Sequence, residues 1–314
     1  MEKMKKVILK IKSGSSLYGT RTEDSDTDYI GVFIPNDDYI VGLERIEQLQ
    51  DNIVSKKDNG KNTKDAVDCT YYELRKFLNL CLQGNPNIFE VLFVNEENIV
   101  EITEEGRELL NLRDKFISQK VINNTYGFIN SMVRKLDNRV ETLTTLNNLL
   151  YRIDLACETT RVDVTEPIAK IEDCLKDIVQ VSKYQYIVGK YQLNRNSTIN
   201  NAKKQIEDII KNKTNRKELV DKYGYDAKSA YHVARLYYQM MDILAERQII
   251  YPLVKASDLL EIKTGALPYH LFLLLIEDLR NMCVELEETH KLPSKPNYDA
   301  INDYCKKTLI SSLT

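Results

Sequence analysis

A chain of 314 residues is long enough for one large domain or two ordinary ones. Its 43% hydrophobic and 29% charged residues supply a core and exclude a disordered tail, while only 11 Gly and 7 Pro exclude collagen-like and low-complexity architectures. The formal net charge of -3 gives no global basic field for nucleic acid, so any such contact needs a local basic face. No stretch approaches the ~20 apolar residues of a membrane span, and Leu271–Ile276 is only core-helix length. Residues 1–12 mix Lys with Val and Ile and lack the apolar region and cleavage site of a signal peptide. The six cysteines, Cys69, Cys81, Cys157, Cys174, Cys283 and Cys305, form no CxxC pair, and His232, His270 and His290 show no ligand spacing. Reduced thiols, no zinc site, no membrane contact and a cytoplasmic location are the expectations.

In chain order, Lys6–Lys12 (KVILKIK) alternates and is rich in β-branched residues, which predicts a strand. Ser13-Gly14-Ser15-Ser16 breaks it, and a short helix follows. Asp28–Pro35 (DYIGVFIP) predicts a second, buried strand. A further pair falls at Glu47–Val54 and Asp65–Tyr71, with Asn59-Gly60 as the turn between them. Tyr72–Leu82 has helical spacing, with Leu74, Phe77, Leu78 and Cys81 on one face. Gly84-Asn85-Pro86 stops that helix, and Ile88–Phe93 opens another apolar segment. From about Thr103 onward the spacing is helical: Ile122–Leu136, Leu143–Thr160, Glu166–Gln192, Ile199–Asn212, Ala227–Arg247, Pro268–His290 and Tyr298–Leu313. Pro167 and Pro268 sit where a first helical turn tolerates proline. The class is α+β, with a sheet-containing domain over residues 1–100 and a mostly helical domain over 101–314.

The chemistry is concentrated in GSSLYGTRTEDSDTDYIGVFIP, from Gly14 to Pro35. A Gly-Ser after a strand offers backbone amides and a hydroxyl to a polyphosphate, and Gly permits close approach. Asp26 and Asp28 stand at i and i+2 of the next strand and therefore aim at one spot. Two adjacent carboxylates repel, and a divalent cation such as Mg²⁺ resolves the conflict. Asp68, in DAVDCTYY, is the third acid expected from a neighbouring strand, with Asp65 as the alternative. Three acids suit two metals, one activating an attacking hydroxyl and one holding a triphosphate as pyrophosphate leaves.

The Gly-Ser-x10-Asp-x-Asp pattern resembles the DNA polymerase β-type nucleotidyltransferase superfamily. Together with VDCTYYELRKFLNLCLQGNPNIFEVLF, KYGYDAKSAYHVARL and LPSKPNYDAIND, it resembles one branch, the RNA-repair-associated polymerase-β-like proteins (RlaP). The resemblance implies a polymerase-β-type core with a small mixed sheet, and a helical domain forming the other side of a cleft. It implies that Gly14 and Ser15 bind the triphosphate, that Asp26, Asp28 and Asp68 are catalytic metal ligands, and that Mg²⁺, replaceable by Mn²⁺, is the cofactor. Lys228, His232 and Arg235 match the family's Lys-x3-His-x2-Arg run, at i, i+4 and i+7 of a helix, and are the further nucleotide-binding candidates. An NTP, with ATP first, is the implied substrate. An RNA end, from tRNA or broken RNA, is the implied acceptor, with an RNA ligase as a partner. The alternatives are nucleotidylylation of a protein or small molecule by the same site, and a non-catalytic nucleotide sensor.

Plainer roles compete at several positions. Asp24 reads as a solvated loop residue and Glu73 as part of the following helix. Gly84–Asn87 reads as a helix stop and a new N-cap. Tyr18 and Thr20 either contact the nucleotide or pack. His232 is either a core histidine or a ligand contact, and the Arg235 fork suits phosphate oxygens. Lys203, Lys204, Lys211, Lys213, Arg216, Lys217 and Lys222, interleaved with acids, read first as a solvated face and second as an RNA track. Tyr184, Tyr186 and Tyr191 read as helical core packing before base stacking.

Overall fold

Alternating β-branched sequence opens the chain, and Met4–Ser13 forms strand β1. The structure is a computed structural model and describes residues 3–23, 25–53, 67–213 and 223–314. Asp24, Asp65 and the Asn59-Gly60 turn lie outside the described residues. β2 (Thr27–Pro35), β3 (Gln48–Ile53), β4 (Val67–Glu73) and β5 (Ile99–Ile102) complete a mixed sheet in the order β3-β4-β2-β1-β5. β2 runs antiparallel to β1 and parallel to β4. Strand alternation sorts the side chains. Ser13, Asp28 and Asp68 are register partners and share one face with Ile11 and Ile30, while Tyr29, Cys69 and Tyr71 take the other. β5 is an edge strand of four residues (IVEI) that periodicity does not announce.

The helix after β4 spans Leu74–Leu82 and buries Leu74, Phe77, Leu78 and Cys81, as the spacing predicts. Glu73 is not in that helix. It ends β4 and caps it, accepting a hydrogen bond from Lys76 N and pairing with Arg75.

The described chain groups into two compact units, each made of more than one segment. One compact unit comprises Met1–Asn130, Tyr231–Thr264 and His270–Thr314, and the other Ser131–Ala230 with Gly265–Tyr269. The reason lies in the helix Ala227–Glu246. From Tyr231 to Met240 every residue except His232 is buried, a pattern that a helix shows only inside a core.

The second unit corrects the helix expected over Glu166–Gln192. A 3-10 helix covers Ile168–Cys174, and β6 (Gln180–Val181), β7 (Gln185–Val188) and β8 (Tyr191–Asn194) form an antiparallel sheet. Tyr186, Val188 and Leu193 point inward at period two, and Gly189 turns the hairpin at φ 58. They pack with Leu146, Leu149, Ile153 and Ala156 of the continuous helix Gln119–Thr160, which replaces the two helices expected there. Tyr186 is core, whereas Tyr184 is exposed, so the tyrosine cluster is split. Lys203 pairs with Asp154, in keeping with a solvated face, and Arg216, Lys217 and Lys222 lie outside the described residues. Among the described residues no helix is long and apolar enough to cross a membrane, and no disulfide joins the cysteines.

Candidate active site

β1 ends at Ser13, and the chain turns sharply at Gly14, with φ 61. One helical turn, Ser15–Tyr18, follows and is closed by Gly19 at φ 75. Tyr18 N donates to Gly14 O at 3.1 Å and Thr20 N to Ser15 O at 3.0 Å. Gly14 has two reasons to be glycine. Its backbone is left-handed, and a Cβ there would overlap the Asp28 carboxylate. The Gly-Ser turn and the acidic strand are therefore fitted to each other.

Asp28 is the second residue of β2 and Asp68 the second residue of β4, and parallel pairing sets them side by side. Asp26 precedes β2. The three offer carboxylate oxygens that all lie within 4.8 Å of one another, and all three are partly exposed. Hard oxygen donors in such a cluster suit Mg²⁺ or Mn²⁺ better than soft metals. The donor set thus fits the implied cation, with Asp68 as the third acid.

A residue without a sequence signal braces the site. The exposed Arg21 donates from Nη1 to Ser16 Oγ at 3.0 Å, and from both Nη atoms to Thr27 Oγ1 at 3.3 Å. It ties the Gly-Ser turn to the residue between Asp26 and Asp28.

Behind the turn stands a buried polar network. The Tyr18 hydroxyl donates to Glu90 Oε1 and accepts from Arg235 Nη1 at 2.7 Å. Arg235 pairs with Glu90 Oε2 and donates from Nη2 to Asn87 Oδ1 at 2.9 Å, and its guanidinium lies over the Tyr18 ring. Gln239 Nε2 donates to Glu90 Oε2 at 2.8 Å and to Tyr251 OH at 2.9 Å. Burial raises the Tyr18 phenol well above the ordinary tyrosine range, against the pull of Arg235, so it remains a donor. Thr20 is held separately, by Tyr231 OH on its hydroxyl at 2.7 Å and by Lys263 Nζ on its carbonyl at 2.9 Å.

These contacts bear on three of the sequence readings. Arg235 and Glu90 are each only 2% exposed, so Arg235 does not present its fork to phosphate. Tyr18 and Thr20 are buried and support the turn from behind. Gly84–Asn87 is a turn, with Gly84 at φ 69 and Asn85 as N-cap, and it delivers Asn87 and Glu90 to Arg235. His232 is partly exposed beside the Tyr231 ring. Lys228 is exposed and belongs to the other compact unit, so the three residues of the run have separate environments.

A sheet with paired strand-borne carboxylates and a glycine turn fitted against them is the arrangement of a polymerase-β-type core. The chain belongs to the RlaP family, described as an RNA repair pathway DNA polymerase beta family, whose model matches residues 1–187. It is also 23% identical to an uncharacterized 38.9 kDa protein in the nrdC-mobD intergenic region of Enterobacteria phage T4, across 87% of each chain. No solved structure matches it. The matched residues contain Gly14, Ser15, Asp26, Asp28 and Asp68, while Arg235, Tyr231 and Lys263 lie beyond them.

Proposed function

We propose that the chain is a divalent-metal-dependent nucleotidyltransferase that moves a nucleoside monophosphate from an NTP to an RNA end and releases pyrophosphate. The observation that carries this reading is the trio Asp26, Asp28 and Asp68, clustered beside a glycine turn that their own geometry requires. Asp26, Asp28 and Asp68 would hold two Mg²⁺ ions, which when bound supply charge neutralisation and a more acidic acceptor hydroxyl.

The chain's own residues do the rest. Gly14 keeps the space before Asp28 open, and the Ser15 amide and hydroxyl lie at the start of the turn, suited to β- and γ-phosphate oxygens. Arg21 holds turn and strand together, so the phosphate-binding and metal-binding groups keep a fixed separation. The acceptor oxygen forms its bond to the α-phosphorus, the bond from that phosphorus to the bridging oxygen of the β-phosphate breaks, and the acceptor proton passes to solvent. ATP is the first NTP to try. The RNA acceptor, from tRNA or broken RNA, and an RNA ligase partner rest on the family's RNA repair association.

The test is incorporation of each α-labelled NTP in Mg²⁺, with total RNA or lysate protein as acceptor, beside Asp26→Asn/Asp28→Asn. Label in RNA that vanishes in the double variant supports the proposal. Label in protein replaces the acceptor but keeps the reaction. Bound NTP without transfer to either replaces the enzyme with a nucleotide sensor.

A further inference from the structure

We infer that Tyr18, Glu90 and Arg235, together with Tyr231, are positioning residues that set nucleotide affinity through the Gly14–Thr20 turn. The inference rests on the nucleotide-binding reading of that turn and adds what controls it.

The turn is one helical turn flanked by two glycines at positive φ, and so short a helix does not hold its shape alone. Its own bonds and the Arg21 brace on Ser16 are supplemented from behind. Tyr18 OH is fixed by both Glu90 and Arg235. Tyr18 O accepts from Leu253 N at 3.3 Å. Gly19 admits no side chain, because a Cβ would lie 2.7 Å from Pro252 Cβ. Thr20 is gripped at its hydroxyl by Tyr231 and at its carbonyl by Lys263. The Tyr18–Thr20 end of the turn therefore has buried or half-buried hydrogen-bond partners from residues 231–263, and the turn's own bonds, Tyr18 N to Gly14 O and Thr20 N to Ser15 O, pass that support to its start.

The network is charged where an apolar wedge would fill the space at lower desolvation cost. Buried ion pairs seldom add net stability, and their best-attested use is to fix one geometry. Here the geometry fixed is that of a Tyr hydroxyl three residues after Ser15. Two of the three carboxylates are held by other means, since Asp28 and Asp68 stand on β2 and β4, while Asp26 precedes β2. The residues behind the turn differ from the strands that carry Asp28 and Asp68, so metal binding and nucleotide binding can be measured apart.

The experiment uses the full chain. Tyr18→Phe and Tyr231→Phe remove one hydroxyl each and keep the ring packing. Mn²⁺ binding without nucleotide is followed by electron paramagnetic resonance. Affinity for a non-hydrolysable ATP analogue in Mg²⁺ is followed by calorimetry, and the thermal midpoint is recorded. Phe116→Leu, at a fully buried site that makes none of the hydrogen bonds above, controls for lost stability. The expected result for either tyrosine variant is unchanged Mn²⁺ affinity and about tenfold weaker analogue binding, the size of one buried hydrogen bond. Phe116→Leu is expected to lower the midpoint with analogue affinity intact. In turnover, KM for the NTP rises more than kcat falls, and Arg235→Lys restores part of what Arg235→Met loses. Wild-type analogue affinity in Tyr18→Phe, or a parallel loss of Mn²⁺ affinity, overturns the inference alone. A wild-type protein that binds Mn²⁺ but no nucleotide overturns the nucleotide reading and the inference together.

Discussion

Two sets of carboxylates flank the Gly14–Thr20 turn, and they are treated in opposite ways. In front, Asp26, Asp28 and Asp68 crowd within 4.8 Å, partly exposed. Behind, Glu90 is buried and answered by Arg235, Tyr18 and Gln239. Burying a charge is tolerable only when it is paired and hydrogen-bonded, and Glu90 meets both conditions. The front trio keeps its solvent access instead. Glu90 is enclosed by the fold, whereas the front trio is open enough to meet the divalent cation of the proposed function. A chain that spends a buried arginine behind the turn while stacking carboxylates in front of it is arranged around the turn.

The largest effect expected is at the front. Asp28→Asn lowers nucleotidyl transfer by at least about 10²-fold, in the range lost when a key electrostatic group is removed. Mg²⁺ raises the wild-type thermal midpoint by mass action, by the equivalent of about 2.7 kcal/mol at a hundredfold excess over its Kd. Asp26→Asn/Asp28→Asn loses that response while folding normally. A double variant that still gains stability from Mg²⁺ places the metal elsewhere.

Next comes the back of the turn, read as stability. Arg235→Ala strands the Glu90 charge and costs about 3–5 kcal/mol in denaturant unfolding. Glu90→Leu/Arg235→Met removes both charges and recovers most of it. If the double variant is as unstable as the single one, the ion pair is a net stabiliser and the contrast between front and back is blunted.

At the seam of the two sets stands Gly14. Gly14→Ala adds left-handed strain and a collision with Asp28, together about 1–3 kcal/mol. Asp28→Gly in that background relieves the collision alone. A partial recovery of the thermal midpoint in the double variant separates overlap from backbone strain.

The front was legible in sequence because its logic is local. Asp28 and its neighbour Asp26 are two residues apart at the start of a strand, and Gly14-Ser15 needs only the spacing to them. Asp68 could be ranked but not fixed, since its place follows from the parallel register of β2 and β4, which no short-range pattern encodes. Arg235 was misread for a related reason. A guanidinium on a helix suits phosphate, and only the long-range arrival of Glu90 reveals that its charge is already answered. The 180–194 sheet is a different failure. Tyr186, Val188 and Leu193 alternate across Gly189, so the period-two signal was present and lost to the helical spacing around it. A linear reading also has no means of showing that the compact unit with the sheet takes in residues from 231 onward.

Asp242 sharpens the contrast with the smallest effect, being half-buried where Glu90 is fully buried, and ringed differently. Burial raises its carboxyl to about 6, nearby Glu246 adds to the rise, and the Ile250 N–H at 3.4 Å opposes it. Its folded pKa therefore exceeds its unfolded value. Below about pH 4 the carboxyl is protonated in both states and costs nothing. Between about pH 4 and 6 the unfolded chain ionises first, and stability is lost as pH rises; above that the penalty is constant. Asp242→Asn keeps an acceptor for Ile250 N–H and removes the ionisation. It is expected to stabilise by about 1–2 kcal/mol at pH 8 and by nearly nothing at pH 4. Denaturant unfolding at the two pH values reads this directly. An equal gain at both would mean that Asn packs better, and that Asp242 is answered within the fold as Glu90 is.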